Sequence, residues 1–414
     1  MLELIFTSLF IVIIRSYSLA SNCLCSLFLY LIMMLFDEGL YLIKMSLILL
    51  TIWLIIMMIM SVNFFDKCKL LMNMFIFLLL ILEICFYSDS ILIFYIMFEM
   101  SVIPVFLIIF GWGYQSSRID ASIYMLSYTV LFSLPFLIMI MFMNNLTMFE
   151  TLVSFFFLLS AFMVKFPLFG LHLWLPRAHV EAPVFGSMIL AGIMLKLGGY
   201  GIIKVGIILG DLLMKFNYYI IIYSILGSIY LSLLCLIQTD VKMLIAYSSV
   251  VHMGLILSGL LTMREFCLNG SIILMIGHGL CSSGLFYMVG LMYNRINTRS
   301  LLLNKGLIYL LPSFTLFWFL FCSSNLSFPP SLNFVGEIML LVGILSWSLN
   351  LSMLIIFLSL FSSLYSIFLF SFVQQGESFL SFSLKMFNVS EFLVMICHWV
   401  PLNLMILDLN FMCW

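Results

Sequence analysis

Thr151-Leu-Val-Ser-Phe-Phe-Phe-Leu-Leu-Ser-Ala-Phe-Met-Val-Lys-Phe-Pro-Leu-Phe-Gly170 combines an apolar run, a lysine and a proline in one continuous stretch. Extended to residue 175, the run is long enough to cross the ~30 Å hydrocarbon core of a bilayer as a helix. Lys165 then falls near mid-helix, where an ionised side chain costs ~2.5 to 3.5 kcal/mol, so it has to face a polar partner or water rather than lipid. Pro167 removes a backbone donor two residues later, and the helix is expected to break beside the charge. The association recurs further along, where Pro329 and Pro330 precede Glu337. Broken helices at corresponding places in two halves point to an inverted-repeat membrane transporter with its site at the midplane.

The remainder of the chain reads the same way. Of its 414 residues 65% are hydrophobic and only 8% charged, against roughly 25% charged in soluble domains. Apolar runs between polar punctuation predict helices near 2–20, 22–36, 40–63, 68–87, 90–112, 121–145, 151–175, 184–208, 217–237, 242–262, 269–293, 305–345, 350–373 and 390–411. The expected fold is therefore an all-α polytopic membrane protein of about fourteen transmembrane helices. Its two inverted five-helix repeats would be spans 4 to 8 and 9 to 13, with spans 7 and 12 broken. Residues 1–66 would form three N-terminal spans, 67–210 and 211–374 the two halves, and 375–414 a C-terminal span. With fourteen crossings, one side collects Lys67, Lys69, Arg118, Arg177, Lys242, Arg295, Arg299, Lys305 and Lys385. That side faces the matrix or cytoplasm by the positive-inside rule, and both termini face the opposite compartment.

Several function classes drop out. A net charge of −1 without a basic run offers nucleic acid no electrostatic footprint. The cysteines are scattered, with Cys23 and Cys25 the one close pair, so neither cluster nor zinc spacing is present. Without a glycine-rich nucleotide loop or Walker sequence, redox or nucleotide chemistry belongs elsewhere. The segment Met1 to Ala20 carries Glu3 early and Arg15 late, the reverse of a signal peptide, and reads as a retained first helix.

Six titratable residues fall near helix midpoints: Glu99, Lys165, Lys196, His252, His278 and Glu337. The bland alternatives are a static buried ion pair and hydrogen-bonded core imidazoles; a shared depth favours a proton relay. Glu99 and Lys165 are further expected to act as a close pair in which the carboxylate controls the lysine's proton. His172 and His179 are seven apart with Pro176 between them, and five histidines in all do not supply haem or metal ligand pairs. They read as lining of a water path or as loop anchors. Glu83 and Glu150 lie nearer helix ends, where solvation is the default. The glycines around Lys196 permit close helix approach.

The stretch His172-Leu-Trp-Leu-Pro-Arg-Ala-His-Val-Glu-Ala-Pro183, continuing into Gly186-Ser-Met-Ile-Leu-Ala-Gly-Ile-Met-Leu-Lys-Leu-Gly-Gly-Tyr-Gly201, closely resembles the chain 4 family of mitochondrial NADH:ubiquinone oxidoreductase, respiratory complex I. Phe98-Glu99, Gly111-Trp-Gly-Tyr114, Gln238-Thr-Asp240, Ala246-Tyr-Ser-Ser249, His278-Gly-Leu-Cys-Ser-Ser283, Pro329-Pro330 and Gly336-Glu337 extend the resemblance from about 90 to 345. It implies an antiporter-like, proton-pumping subunit of the inner mitochondrial membrane, with both termini towards the intermembrane space. The relay would run through Glu99, Lys165, Lys196, His252, His278 and Glu337, supported by His172 and His179. No cofactor would be bound by this chain; NADH, FMN, iron–sulfur clusters and ubiquinone would be used by other subunits. Its partners would be membrane-arm subunits, lipids, protons and internal water. Arg177 departs from the family, which more often has Lys there, without an expected change in mechanism. The competing readings are a subunit of a multi-subunit cation/proton antiporter and a passive membrane scaffold.

Overall fold

The computed structural model describes residues 7–8, 11, 16–37, 42–62, 66–142, 152–376 and 387–409. The helices are α1 (Tyr17–Asp37), α2 (Leu42–Ser61), α3 (Lys69–Tyr87), α4 (Ile91–Met100), α5 (Val102–Trp112), α6 (Arg118–Met141), α7 (Leu152–Lys165), α8 (Trp174–Glu181) and α9 (Val184–Ile189). They continue as α10 (Leu195–Leu209), α11 (Asp211–Ile237), α12 (Val241–Thr262), α13 (Glu265–Ile296), α14 (Pro312–Asn325), α15 (Leu332–Trp347), α16 (Ser352–Gln374) and α17 (Val389–Leu404). Among the described residues no strand forms; the single β-bridge joins Asp240 to Ser300. Among the described residues ten helical stretches are long and apolar enough to cross a membrane, and shorter apolar helices occur at Tyr17–Met33, Leu152–Lys165 and Leu332–Trp347. The protein is an all-helical polytopic membrane protein. Most of the stretch read as the first span, together with Glu150 and Lys385, lies outside the described residues.

Burial among the helices does not follow how apolar they are. α13 carries Asn269, Ser271, His278, Ser282 and Ser283 and its membrane window is fully buried, whereas the more apolar α6 and α16 keep most of theirs on the outside. A helix greasy on every face is at home either in a core or against lipid, and what draws α12 and α13 inward is their small and polar residues. Gly270 of α13, for example, lies so close to α15 that a Cβ there would stand 2.8 Å from the Met339 Cβ.

Four interruptions shape the site. The backbone leaves the helix between Lys165 and Trp174 and again between Asn325 and Leu332. A shallower discontinuity at Ser101 separates α4 from α5, three residues before Pro104, whose missing N–H cannot close the ladder. Between α9 and α10 the helix widens into a π turn, Leu190–Met194, which ends two residues before Lys196. The last two were not foreseen from the sequence.

Glu83 is not solvated: it is 1% exposed in α3, where the Ser8 hydroxyl donates to its carboxylate at 3.1 Å. Leu79, Leu82 and Phe86 lie on the same inward face. Hydropathy locates a residue in depth along a helix, and says little about which way it points when every face is apolar.

Candidate functional site

Lys196 is fully buried, and its surroundings follow from the π turn. A π turn adds one residue to the helical repeat and breaks the regular ladder, a feature that recurs at functional sites. Here the Lys196 Nζ turns back to donate to the Ala191 carbonyl at 2.6 Å, and also meets the Nδ1 of His278 at 3.0 Å. Small residues make the approach possible. A Cβ at Gly279 would lie 3.2 Å from the Gly192 carbonyl and 3.5 Å from the Lys196 Cε.

From His278 on α13 the polar chain passes to His252 on α12. Their rings are tilted by 47° with centroids 5.6 Å apart. His252 uses both nitrogens: Nδ1 meets the Glu337 Oε1 at 3.2 Å, and Nε2 meets the Tyr365 hydroxyl at 3.0 Å. Four of the six midpoint residues, Lys196, His278, His252 and Glu337, thus form one row across α10, α13, α12 and α15. Tyr365, fully buried on α16, joins it and was not singled out by sequence.

Glu99 and Lys165 form a second group. The Lys165 ammonium donates to the Phe98 carbonyl and sits 3.2 Å from the Phe98 ring centroid, rather than on the carboxylate of Glu99. Glu99 turns towards Ser133, and its Oε1 has no hydrogen-bond partner. The direct carboxylate–ammonium contact expected from sequence is therefore absent among the described residues, the ammonium resting on Phe98 instead. A cation over a desolvated aromatic face gains ~2 kcal/mol or more, which offers Lys165 an alternative to direct pairing. The two groups meet through backbone: a Cβ at Gly198, two residues beyond Lys196, would lie 2.8 Å from the Phe166 nitrogen and 3.3 Å from the Lys165 carbonyl carbon.

Pro167 lies in the first break, and Pro329 and Pro330 in the second. His172 closes the first break, accepting the Gly170 N–H at Nδ1 (3.2 Å) and stacking on Phe169. This is a loop anchor. His179 is fully buried on α8, stacked on Phe286 at 4.5 Å, with neither ring nitrogen hydrogen-bonded. Near the second break, Asn333 donates to the Ser324 carbonyl at 2.9 Å, while Asn325 Nδ2 and Trp318 Nε1 remain without partners. His398 on α17, also buried, bonds back to the Val394 carbonyl and stands apart from both groups.

At the basic end, Lys242 donates to the carbonyls of Val180 and Ala182, and Arg299 to that of Val180, satisfying the frayed end of α8. A cleft of about 780 Å³ opens beside them, lined by Asp120, Tyr124, Arg177, Glu181 and Asp240 among others. Burial pushes the phenol of Tyr114, in the loop after α5, up to about 12. Among the described residues no group of three or more His, Cys, Asp or Glu side chains is arranged to hold a metal ion.

Residues 88–362 match the family described as NADH:quinone oxidoreductase/Mrp antiporter, transmembrane. The NADH-ubiquinone oxidoreductase chain 4 of Ceratitis capitata is 47% identical over 378 residues, covering 87% of this chain and 85% of that one. The chain 4 of Aedes aegypti is 50% identical over 330 residues, covering 77% and 74%. The chain belongs to the NADH-ubiquinone oxidoreductase chain 4 family. In its fold, this chain 4 family member resembles a chain of respiratory complex I from Thermus thermophilus, with a TM-score of 0.88 at 20% identity over 97% of this chain and 95% of that one. The Mrp complex from Dietzia shares the architecture at a TM-score of 0.78 and 19% identity, over 88% of this chain and 42% of that one. The window matched by the family includes all six midpoint residues and stops just before Tyr365.

Proposed function

We propose that this chain is a proton-translocating, antiporter-like membrane subunit of respiratory complex I, set in the inner mitochondrial membrane among other membrane-arm subunits. The observation that carries the reading is the row Lys196–His278–His252–Glu337, buried over its first three members and ending on a partly exposed carboxylate, with contacts of 3.0 and 3.2 Å at its ends. A row of bases ending on a carboxylate can hold and hand on protons, and ionisable groups set between membrane helices are costly and mark ion pathways. Lys165, over Phe98 and loosely coupled to Glu99, supplies protons to Lys196 or takes them from it through internal water. The breaks at 166–173 and 326–331 lie beside the two groups, as expected of halves related by an inverted repeat.

In this reading NADH oxidation, FMN, iron–sulfur clusters and ubiquinone reduction belong to other subunits, and redox energy reaches this chain as a conformational or electrostatic push. Each elementary charge moved against 100 mV needs ~2.3 kcal/mol. The basic end, with Lys242, Arg295 and Arg299, faces the matrix, and both termini face the intermembrane space. The likeness to an Mrp complex keeps a cation/proton antiporter in view as a second reading. The test uses the assembled complex in sodium-free vesicles with NADH as fuel. Lys196→Met is expected to lower the protons moved per electron, and exposed Lys69→Met to leave that ratio unchanged. An absolute requirement for sodium, or full pumping by Lys196→Met, overturns the proposal.

A further inference from the structure

Tyr365 is a fully buried side chain whose hydroxyl meets the one His252 nitrogen that Glu337 leaves open. It belongs to α16, a helix that supplies none of the six relay candidates. The groups facing His252 are Glu337 from α15, Tyr365 from α16 and the His278 ring from α13.

An imidazole that passes a proton changes the hydrogen-bond character of its nitrogens. With Glu337 ionised and the ring neutral, Nδ1–H donates to the carboxylate and Nε2 offers a lone pair. When a proton given up by His278 arrives through internal water, Nε2 also becomes a donor, and it remains one after the Nδ1 proton has passed to Glu337. Across these states the ring gains one proton at Nε2 and loses one at Nδ1, and the carboxylate becomes a carboxylic acid. A fixed donor or a fixed acceptor at Nε2 satisfies only some of these states. A phenol satisfies all of them, because its hydrogen swings about the C–O bond while the heavy atoms stay at 3.0 Å.

We propose that Tyr365 is a positioning residue that lets His252 change protonation state without leaving its place in the row. The proposal rests on the proton-path reading above. It explains why the polar end of a tyrosine is buried between the helices, where phenylalanine, with 43 copies in the chain, would fill the volume without needing a partner.

The experiment compares Tyr365→Phe and Glu337→Gln in the assembled complex in sealed vesicles, reading NADH-driven proton uptake in H2O and D2O. Tyr365→Phe is expected to slow pumping about tenfold and to raise the solvent isotope effect, because an orphaned N–H then accompanies each protonation. Wild-type pumping and isotope effect in Tyr365→Phe, alongside failure of Glu337→Gln to pump, overturns the proposal alone. Normal pumping by Glu337→Gln overturns the proton-path reading and this proposal with it. Should Tyr365→Phe fail to assemble, infrared difference spectra of the wild-type complex with ring-deuterated tyrosine decide: a tyrosine C–O band that changes on turnover supports the proposal, and its absence refutes it.

Discussion

Replacing Gly198 by alanine adds one methyl group at the joint between the two proton-handling groups. That methyl would lie 2.8 Å from the Phe166 nitrogen, 2.9 Å from the Phe166 Cβ and 3.3 Å from the Lys165 carbonyl carbon. Ordinary contact begins at 3.4 Å, so the backbone after Lys165 has to retreat by several tenths of an ångström. The neighbour is main chain rather than a side chain that can rotate, and overpacking of this kind costs about 1–3 kcal/mol. It is offset by the ~0.8–1.0 kcal/mol that alanine gains over glycine in a helix. Gly111 is the matched control, since nothing lies within 4 Å of a Cβ there. In purified complex, Gly198→Ala should lose quinone-linked activity at a lower temperature than wild type, and Gly111→Ala should equal or exceed wild type. Proton transfer needs heavy atoms within ~2.6–3.2 Å or one bridging water, so Gly198→Ala should also lower protons per electron. Identical behaviour of the two variants in both assays would refute the close approach at Gly198.

Further outcomes follow from contacts outside the relay. Glu391 receives the Arg295 guanidinium at 2.6 Å and closes a capping box at the start of α17, bonding the Asn388 N–H at 2.9 Å; Glu391→Ala should cost about 0.5–2 kcal/mol, seen as earlier release of the C-terminal helix to protease. Lys242→Met withdraws donors from Val180 and Ala182, so assembled complex should fall, with Lys242→Arg retaining more of it. The Lys44 ammonium bonded to Asp89 lowers the Asp89 carboxyl below its ordinary value. A depressed carboxyl stabilises the fold above the ordinary aspartate pKa, near 3.9, and that contribution disappears as the pH falls through the folded value. Heat-inactivation profiles should therefore show a slightly smaller acid-side loss for Asp89→Asn, and an unchanged profile would mean that the exposed pair contributes nothing.

What the sequence could disclose was set by which signals survive in a chain apolar on nearly every face. Pro167, Pro329 and Pro330 announce breaks because a missing N–H acts whatever surrounds it. Charges at Lys196, His252, His278 and Glu337 stand out because membranes tolerate them badly. Direction around the helix is another matter. Glu83 looked solvated by its place near a helix end and turned out to face inward. The π turn before Lys196 inserts a residue into a pattern with no polar face to shift, so periodicity carries no trace of it. Tyr365 was hidden among 18 tyrosines. Glu99 and Lys165 were legible as neighbours, but not that the ammonium would settle on the carbonyl and ring of Phe98.

The decisive measurement is the number of protons moved per electron by assembled complex carrying His278→Leu, which removes the link between Lys196 and His252 while keeping an apolar side chain of moderate size. Interruption of the row predicts a lower ratio than in wild type, with NADH-to-quinone electron transfer continuing in uncoupled membranes. A ratio equal to that of wild type, in complex shown to contain the variant chain, would contradict a proton path through this row.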